Sequence, residues 1–133
     1  MSIKRCFCVL TALFALLLPL HGQGNADAVF VPISKYLYEG DAQKLSAWFY
    51  DSVELSIEKE SAVMSRSQAR LMMQNFFRNH VPERFTLGHS ASKAHVKSAV
   101  GKLVAGGERF DVSIFVSDRG EGYKIQQLQI QKE

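Results

Sequence analysis

The sequence predicts an α+β fold in which three N-terminal helices pack on a curved, mainly antiparallel sheet of four to five strands. In the first half of the chain, apolar residues recur every three or four positions, as on one face of a helix. In the second half they recur at every second position, as on one face of a strand. Helical segments followed by a run of strands are typical of the α+β class.

The first two helices are short, and each has a recognisable boundary. Phe30, Ile33 and Leu37 share one helical face. Gly40 is suited to end this helix, and Asp41 is a good N-cap for a second helix with the sequence AQKLSAWF. We therefore expect two consecutive helices joined by a tight turn.

A strand is predicted between the second and third helices. Within residues 52–59, Val53, Leu55 and Ile57 alternate with polar residues, which is the pattern of a strand with one buried face. A turn is expected at residues 60–62, before the third helix.

The third helix has the clearest signals. Ser65 and Gln68 match the capping box, and Pro82 marks the end of the helix. An apolar stripe runs between them, formed by Ala69, Met72, Met73, Phe76 and Phe77. Such a stripe is typical of core packing, and its methionines and phenylalanines could alternatively line a ligand cavity.

The chain from Phe85 onward is predicted to be strands and turns. Strands are expected near residues 85–89, 94–105 and 110–116, with a last strand after a turn at 118–122. In the last strand the apolar positions change parity between Ile125 and Leu128. A change of this kind predicts a β-bulge, which bends a sheet.

The N-terminus has the pattern of a secretory signal peptide. Lys4 and Arg5 precede an apolar run at residues 6–20, and small polar residues follow. Cleavage could follow position 24, 26 or 28, so we assign residues 1–26 to the signal and 27–133 to a single domain. This predicts an exported bacterial protein, periplasmic or secreted, with no integral membrane segment after cleavage.

Removal of the signal would change the chemistry available to the chain. Both cysteines, Cys6 and Cys8, lie in it, so the mature domain would have no disulfide and no cysteine metal site. The full chain has 16 basic and 13 acidic residues, and loss of Lys4 and Arg5 lowers its net charge from +3 to about +1. Because little basic excess remains, we expect no nucleic-acid partner.

The order of helices and strands resembles the nuclear transport factor 2-like superfamily, also called SnoaL-like or cystatin-like. Residues 65–116 are similar to an uncharacterised exported bacterial family, domain of unknown function 4783. The shared features are the Phe76-Phe77 pair, the Pro82…Phe85…His89 spacing and the Val100-Gly101-x-Leu103 strand. This resemblance implies a cone-shaped domain with a helix-lined cavity, frequent dimerisation through the sheet, and no established activity.

Three histidines are the remaining candidates for chemistry. His80, His89 and His95 are nine and six residues apart, which is not the spacing of a metal site, so no metal and no cofactor are expected. His80 is predicted to interact with the carbonyls at a helix end, and His95 to be exposed at a turn. Strand parity places His89 on the inward face with Phe85 and Leu87. There it would be either a core histidine hydrogen-bonded to a backbone carbonyl or a hydroxyl, or a polar group that orients a ligand in an apolar cavity.

The catalytic motif of enzymes in this superfamily is not found in this sequence. Relatives of the ketosteroid-isomerase type carry an aspartate general base followed by proline and glycine on the first strand. The corresponding stretch here is Ser56-Ile57-Glu58, and Glu54 and Glu58 fall on the polar face of that strand. The chain also lacks the G-x-S-x-G pattern of a nucleophilic serine. We therefore assign no catalytic residue.

The leading hypothesis is a non-catalytic binding module for a small apolar ligand or a protein partner. Candidate ligand-binding residues are the large amphipathic or stripe side chains together with the inward histidine: His89, Tyr36, Trp48, Met73, Phe77 and Tyr123. One alternative is an isomerase, lyase or hydrolase that uses His89 as acid or base. Another is a structural homodimer that associates through its sheet.

Overall fold

The computed structural model describes residues 28–133. The predicted signal peptide, at residues 1–26, lies outside this range. Within residues 28–133, no helix has both the length and the apolar character required to cross a membrane. The described elements are α1 Phe30–Glu39, α2 Ala42–Ser46, β1 Phe49–Ile57, β2 Glu60–Ser65, α3 Arg66–Asn79, β3 Pro82–Lys93, β4 Val96–Ala105, β5 Glu108–Asp118 and β6 Tyr123–Lys132.

The turn between α1 and α2 follows the sequence signals. Gly40 takes a left-handed conformation with φ of 68°, as expected for a glycine that ends a helix. The carboxylate of Asp41 accepts a hydrogen bond from the backbone N–H of Lys44 at 2.9 Å, so Asp41 caps α2. α2 is shorter than predicted, because Phe49 belongs to β1, where it pairs with Ile125.

Helix α3 begins where the capping box predicted. The hydroxyl of Ser65 accepts a hydrogen bond from the backbone N–H of Gln68 at 3.2 Å. The helix ends at Asn79, ahead of Pro82. Its buried face is formed by Ala69, Met73, Phe76 and Phe77.

The six described strands form one mixed sheet in the order β2-β1-β6-β5-β4-β3. β1 and β6 are parallel, and the other neighbouring pairs are antiparallel. The predicted count of four to five strands was too low, because the residues expected to form a turn at 60–62 begin β2. That strand is exposed along nearly its whole length, with Val63 67% exposed, so no alternation of buried side chains marks it in the sequence.

The predicted bulge in the last strand is confirmed. Phe115 pairs with Gln127, whereas the next residue, Val116, pairs with Ile125, so Gln126 is the extra residue. The bulge lets Ile125 and Leu128 both face the core despite their opposite parity.

A glycine allows the outermost strand to approach its neighbour. A Cβ atom on Gly101 of β4 would lie 2.5 Å from the ring of Phe85 and 2.8 Å from the carbonyl oxygen of Thr86. Any other residue would collide with both, and the Thr86 carbonyl belongs to the backbone and cannot turn away. Gly101 therefore makes room for Phe85, which packs against the core.

Two serines are predicted to have opposite effects on stability. The hydroxyl of Ser34 in α1 is buried and has no hydrogen-bond partner among the residues described, so Ser34→Ala should stabilise the protein by about 1 kcal/mol. Ser65→Ala removes the cap of α3 and should cost about 1 kcal/mol. Urea unfolding of the two variants measures both values, and loss of stability in Ser34→Ala would contradict the first.

Glu58, in the turn between β1 and β2, has a strained backbone conformation that lowers the stability of the protein. Its φ is +55°, a left-handed conformation that costs a non-glycine residue about 1 kcal/mol. The conformation is held by two hydrogen bonds to β6, one from the Glu58 N–H to the Ile130 carbonyl at 2.7 Å and one from the Gln131 side chain to the Glu58 carbonyl at 2.9 Å. Glu58→Gly should therefore raise the free energy of unfolding, by up to about 1 kcal/mol.

Lys59→Gly is the matched control for this prediction. Lys59 is the neighbouring turn residue and has no positive φ, so glycine there only adds freedom to the unfolded chain and should cost about 0.5–1 kcal/mol. Thermal unfolding compares the two variants. Equal destabilisation by both would show that the conformation of Glu58 is not strained.

Candidate functional site

The prediction that His89 faces inward was wrong, because His89 is exposed. In β3, Leu87 pairs with Gly101 of β4, and the next pair is Ser90 with Ala99. Three positions along β3 therefore match two along β4, which is a bulge. The extra residue changes the parity of the strand, so Ser90 takes the inner side that alternation assigned to His89. His95 is exposed, as predicted.

The other predicted ligand-binding side chains lie in the core or against it. Met73 and Phe77 are buried in the core, and Tyr36, Trp48 and Tyr123 are half-buried against it. The ring of Tyr123 lies beneath the ammonium of Lys97, 4.7 Å from the nitrogen to the ring centroid. Packing against the core accounts for these five positions.

A groove between the C-terminal half of α3 and the β1–β2 hairpin has the features of a binding site. We call it the α3 groove, and its volume is about 430 Å³, within the range of small-molecule sites. Its lining residues are Ile57, Glu58, Lys59, Glu60, Met72, Asn75, Phe76, Asn79 and His80. A larger cavity of about 590 Å³ lies at the α1–α2 turn, and charged and amide side chains form most of its lining.

The floor of the α3 groove is apolar and ends at a cluster of three rings. Phe76 is only 4% exposed, and Ile57 and Met72 are half-buried. The imidazole of His80 stacks on the ring of Phe76, with centroids 4.7 Å apart and planes at 22°. It also meets the ring of Phe110 edge-on at 5.3 Å. The imidazole is therefore held between two aromatic rings at one end of the groove.

A contact with a backbone carbonyl determines which His80 nitrogen donates a hydrogen bond and which accepts one. Nδ1 lies 3.3 Å from the carbonyl oxygen of Phe76, which can only accept a hydrogen bond. Nδ1 must therefore carry the proton in this contact, so Nε2 is an acceptor when the ring is neutral. The predicted contact of His80 with the helix-end carbonyls is thus confirmed, and it orients the ring for a second interaction.

Two amides complete the polar side of the groove. Asn75 and Asn79 are one helical turn apart on α3, as are Met72 and Phe76 beside them. Within residues 28–133, neither amide side chain has a hydrogen-bond partner. The groove thus combines an apolar floor with uncommitted donors and acceptors, the composition that orients a mostly apolar ligand.

An ion pair lies next to the ring cluster. The carboxylate of Glu108 is 2.9 Å from the ammonium of Lys132. Its hydrogen bond from Lys132 lowers the pKa of Glu108, an effect opposed by partial burial and reinforced by the positive charges of Lys132 and a protonated His80. The same hydrogen bond raises the pKa of Lys132. Both groups therefore stay charged near neutral pH.

The sequence contained part of the signal for this site. Met72 and Phe76 alternate with Asn75 and Asn79 at helical spacing and are followed by His80, a pattern that places apolar and amide side chains on adjacent faces of α3. The opposite wall could not be recognised, because it belongs to the β1–β2 hairpin and β2 was not predicted. In the described part of the chain, no group of three or more histidine, cysteine or acidic residues is placed to hold a metal ion.

Comparisons with solved structures support the same fold. A DUF4783 family protein from Bacteroides uniformis has a TM-score of 0.73 at 26% identity, over 77% of this chain and 94% of that one. A cystatin-like domain of unknown function from Nostoc punctiforme has a TM-score of 0.64 at 11% identity, over 84% and 80% of the two chains. An NTF-2 like protein of unknown function from Silicibacter pomeroyi has a TM-score of 0.56 at 16% identity, over the full length of both.

The last two likenesses concern the fold alone, since their identities are low. No curated protein matches the sequence. The model of one family, described as a domain of unknown function (DUF4783), matches residues 30–131. The chain is therefore a member of the DUF4783 family, and its described part has the α+β fold shared by NTF2-like and cystatin-like proteins.

Proposed function

We propose that this protein is an exported bacterial binding module that takes a small, mostly apolar ligand in the α3 groove. The observation that carries the proposal is the set of polar groups without partners in the described chain, Asn75 and Asn79, beside an apolar floor. Polar groups at a concave apolar surface orient a ligand through hydrogen bonds. Export is supported by the signal-peptide pattern of residues 1–26.

The ring cluster supports binding in a second way. His80 is held by contacts with Phe76 and Phe110, and its Nδ1 is engaged by a backbone carbonyl. Its position is therefore set before any ligand arrives, so little conformational entropy is lost on binding. A ligand that donates a hydrogen bond to Nε2 and covers Phe76 and Met72 would use the whole groove.

Acid–base catalysis by His89 has no comparable support. The residue lies exposed on a bulge of β3, away from the apolar floor that a general base requires around its substrate. The stretch Ser56-Ile57-Glu58 also departs from the aspartate, proline and glycine of enzymes in the superfamily. Binding without catalysis accounts for the α3 groove with fewer assumptions.

Native mass spectrometry of the protein purified from its source bacterium tests the proposal. A co-purifying ligand should appear as a mass increment, and His80→Phe should lower its occupancy roughly tenfold, because the ring contacts stay and one hydrogen bond is lost. The double variant Asn75→Ala with Asn79→Ala should lower it at least as much. The mass of the chain reports the cleavage position in the same spectrum.

Gln74→Ala is the matched control, because Gln74 is an exposed amide on the same helix and lies outside the α3 groove. Its occupancy should equal that of the unmodified protein, and thermal unfolding should show that all variants are folded. If the occupancy of the ligand is unchanged in both groove variants, the ligand binds elsewhere and the proposal is wrong. A protein that carries no ligand at all would also count against the proposal.

The sheet face opposite the helices supports a second proposal, a homodimer. On strands β4, β5 and β6, two cross-strand rows of this face are uncharged, one with Val100, Ser113 and Gln129, the other with Phe115 and Gln127. In β1 the second row continues to Glu54. An uncharged patch can meet its own copy across a two-fold axis without repulsion between like charges.

Val100→Lys tests the dimer. Val100 is 48% exposed, so the substitution leaves the core intact and places two ammonium groups opposite each other in a symmetric pair. Light scattering should report a dimer for the unmodified protein and a monomer for the variant. Val31→Lys is the control, since Val31 is 64% exposed on α1 and should leave the dimer unchanged. A monomer at all concentrations without substitution would contradict the proposal.

A further inference from the structure

Two arginines flank a concavity on the outer face of the sheet, opposite the helices. Arg84 of β3 and Arg109 of β5 both pair with Val104 of β4, so the three residues form one row across three strands. Since neighbouring strands are about 4.8 Å apart, the two arginine backbones are separated by about 10 Å. The concavity has a volume of about 400 Å³ and is lined by Arg84, Thr86, Lys102, Leu103, Val104, Arg109 and Glu133.

The nearby carboxylates are already engaged by other groups. Asp111 and Glu133 both bind the ammonium of Lys102, the latter at 3.2 Å. Glu83, next to Arg84 in sequence, accepts a hydrogen bond from the backbone N–H of Gly107 at 3.2 Å. In the described chain, neither Arg84 nor Arg109 has an ion-pair or hydrogen-bond partner for its guanidinium.

Lys102 differs from the two arginines of the same concavity because it forms ion pairs with carboxylates. Its hydrogen bonds to Asp111 and Glu133 raise the pKa of its ammonium, so Lys102 is a charged group whose charge is balanced locally. In the described chain the guanidinium groups of Arg84 and Arg109 form no ion pair, and they project from the two strands on either side of β4, on the same face of the sheet. Each guanidinium can therefore form charged hydrogen bonds with an anion from solution.

We propose that Arg84 and Arg109 form a binding site for a phosphate group, with the Thr86 hydroxyl as a further donor. A guanidinium presents parallel N–H groups that match two oxygens of a phosphate, and two guanidinium groups on either side of Val104 can hold one tetrahedral anion between them. The anion would be attracted by both guanidinium groups. The site lies on the face of the sheet opposite the α3 groove and is independent of the ligand proposed there.

Inorganic phosphate titrated into the purified protein tests this site. At constant ionic strength maintained with sodium chloride, phosphate should raise the midpoint of thermal unfolding, and NMR shifts should report saturable binding at residues around Val104. Arg84→Gln and Arg109→Gln should each weaken the binding of phosphate at least roughly tenfold, because each removes charged hydrogen bonds. Without phosphate, neither variant should unfold at a lower temperature than the unmodified protein.

Arg78→Gln is the matched control, because it removes one exposed arginine of α3 outside this concavity. It should bind phosphate as the unmodified protein does. Equal weakening by Arg78→Gln, or binding that persists in the Arg84→Gln, Arg109→Gln double variant, would overturn the proposal. So would saturable binding of a polyglutamate peptide in the absence of any effect of phosphate, since that would assign the arginines to an acidic protein.

The source of the phosphate group is distinguished by a second arm of the experiment. Vesicles of phosphatidylcholine with and without phosphatidic acid are sedimented with the protein. Retention that requires phosphatidic acid and is lost in Arg84→Gln would identify a lipid headgroup as the source. Binding of phosphate and glycerol phosphate without vesicle retention would identify a free small molecule.

Discussion

The parallel pairing of β1 with β6 is the contact on which the rest of the fold depends. β6 is the last strand in the sequence, yet it lies inside the sheet, between β1 and β5. Ile125, Leu128 and Ile130 of this strand are fully buried, so the core is complete only when the C-terminal end of the chain is in place. The pairing joins residues that are far apart in sequence. Closing the long loop between them costs chain entropy before the burial of side chains compensates for it. The strained conformation of Glu58 is a local consequence of the β1–β6 pairing, because hydrogen bonds to β6 hold its backbone.

Register shifts decide which side chains the sheet presents on each face. Because side chains alternate along a strand, one extra residue moves every following residue to the other side. The shift in β6 keeps Ile125 and Leu128 both in the core. The shift in β3 has the opposite consequence for function, since it moves His89 out to solvent and leaves Ser90 on the inner side. A histidine that alternation places in a cavity is therefore absent from it.

The two proposed sites lie at the same end of the sheet, on opposite faces. Glu108 and Arg109 are adjacent in β5, and alternation sends one toward the ring cluster of His80 and the other into the outer concavity. On the inner side, the charge of Glu108 is balanced by Lys132, and the α3 groove has an apolar floor, two amides of α3 and the charged side chains of the β1–β2 turn along its opposite wall. On the outer side, Arg84 and Arg109 lie in the concavity without an ion-pair partner among residues 28–133. We therefore propose ligands of different chemistry for the two sites, a mostly apolar one inside and an anion outside.

The sequence by itself determined the class of the fold, the boundaries of α1 and α3, and the bulge in β6, because caps and side-chain periods act over a few residues. It did not reveal β2, whose side chains are exposed and whose stability comes from hydrogen bonds to β1. Without β2 there is no second wall for the α3 groove, so His80 could be assigned to a helix end but not to a site. Within residues 28–133, Arg84 and Arg109 have no ion-pair partner, and this too depends on tertiary structure. The fold decides which carboxylates the other strands bring near an arginine, and which groups those carboxylates already bind.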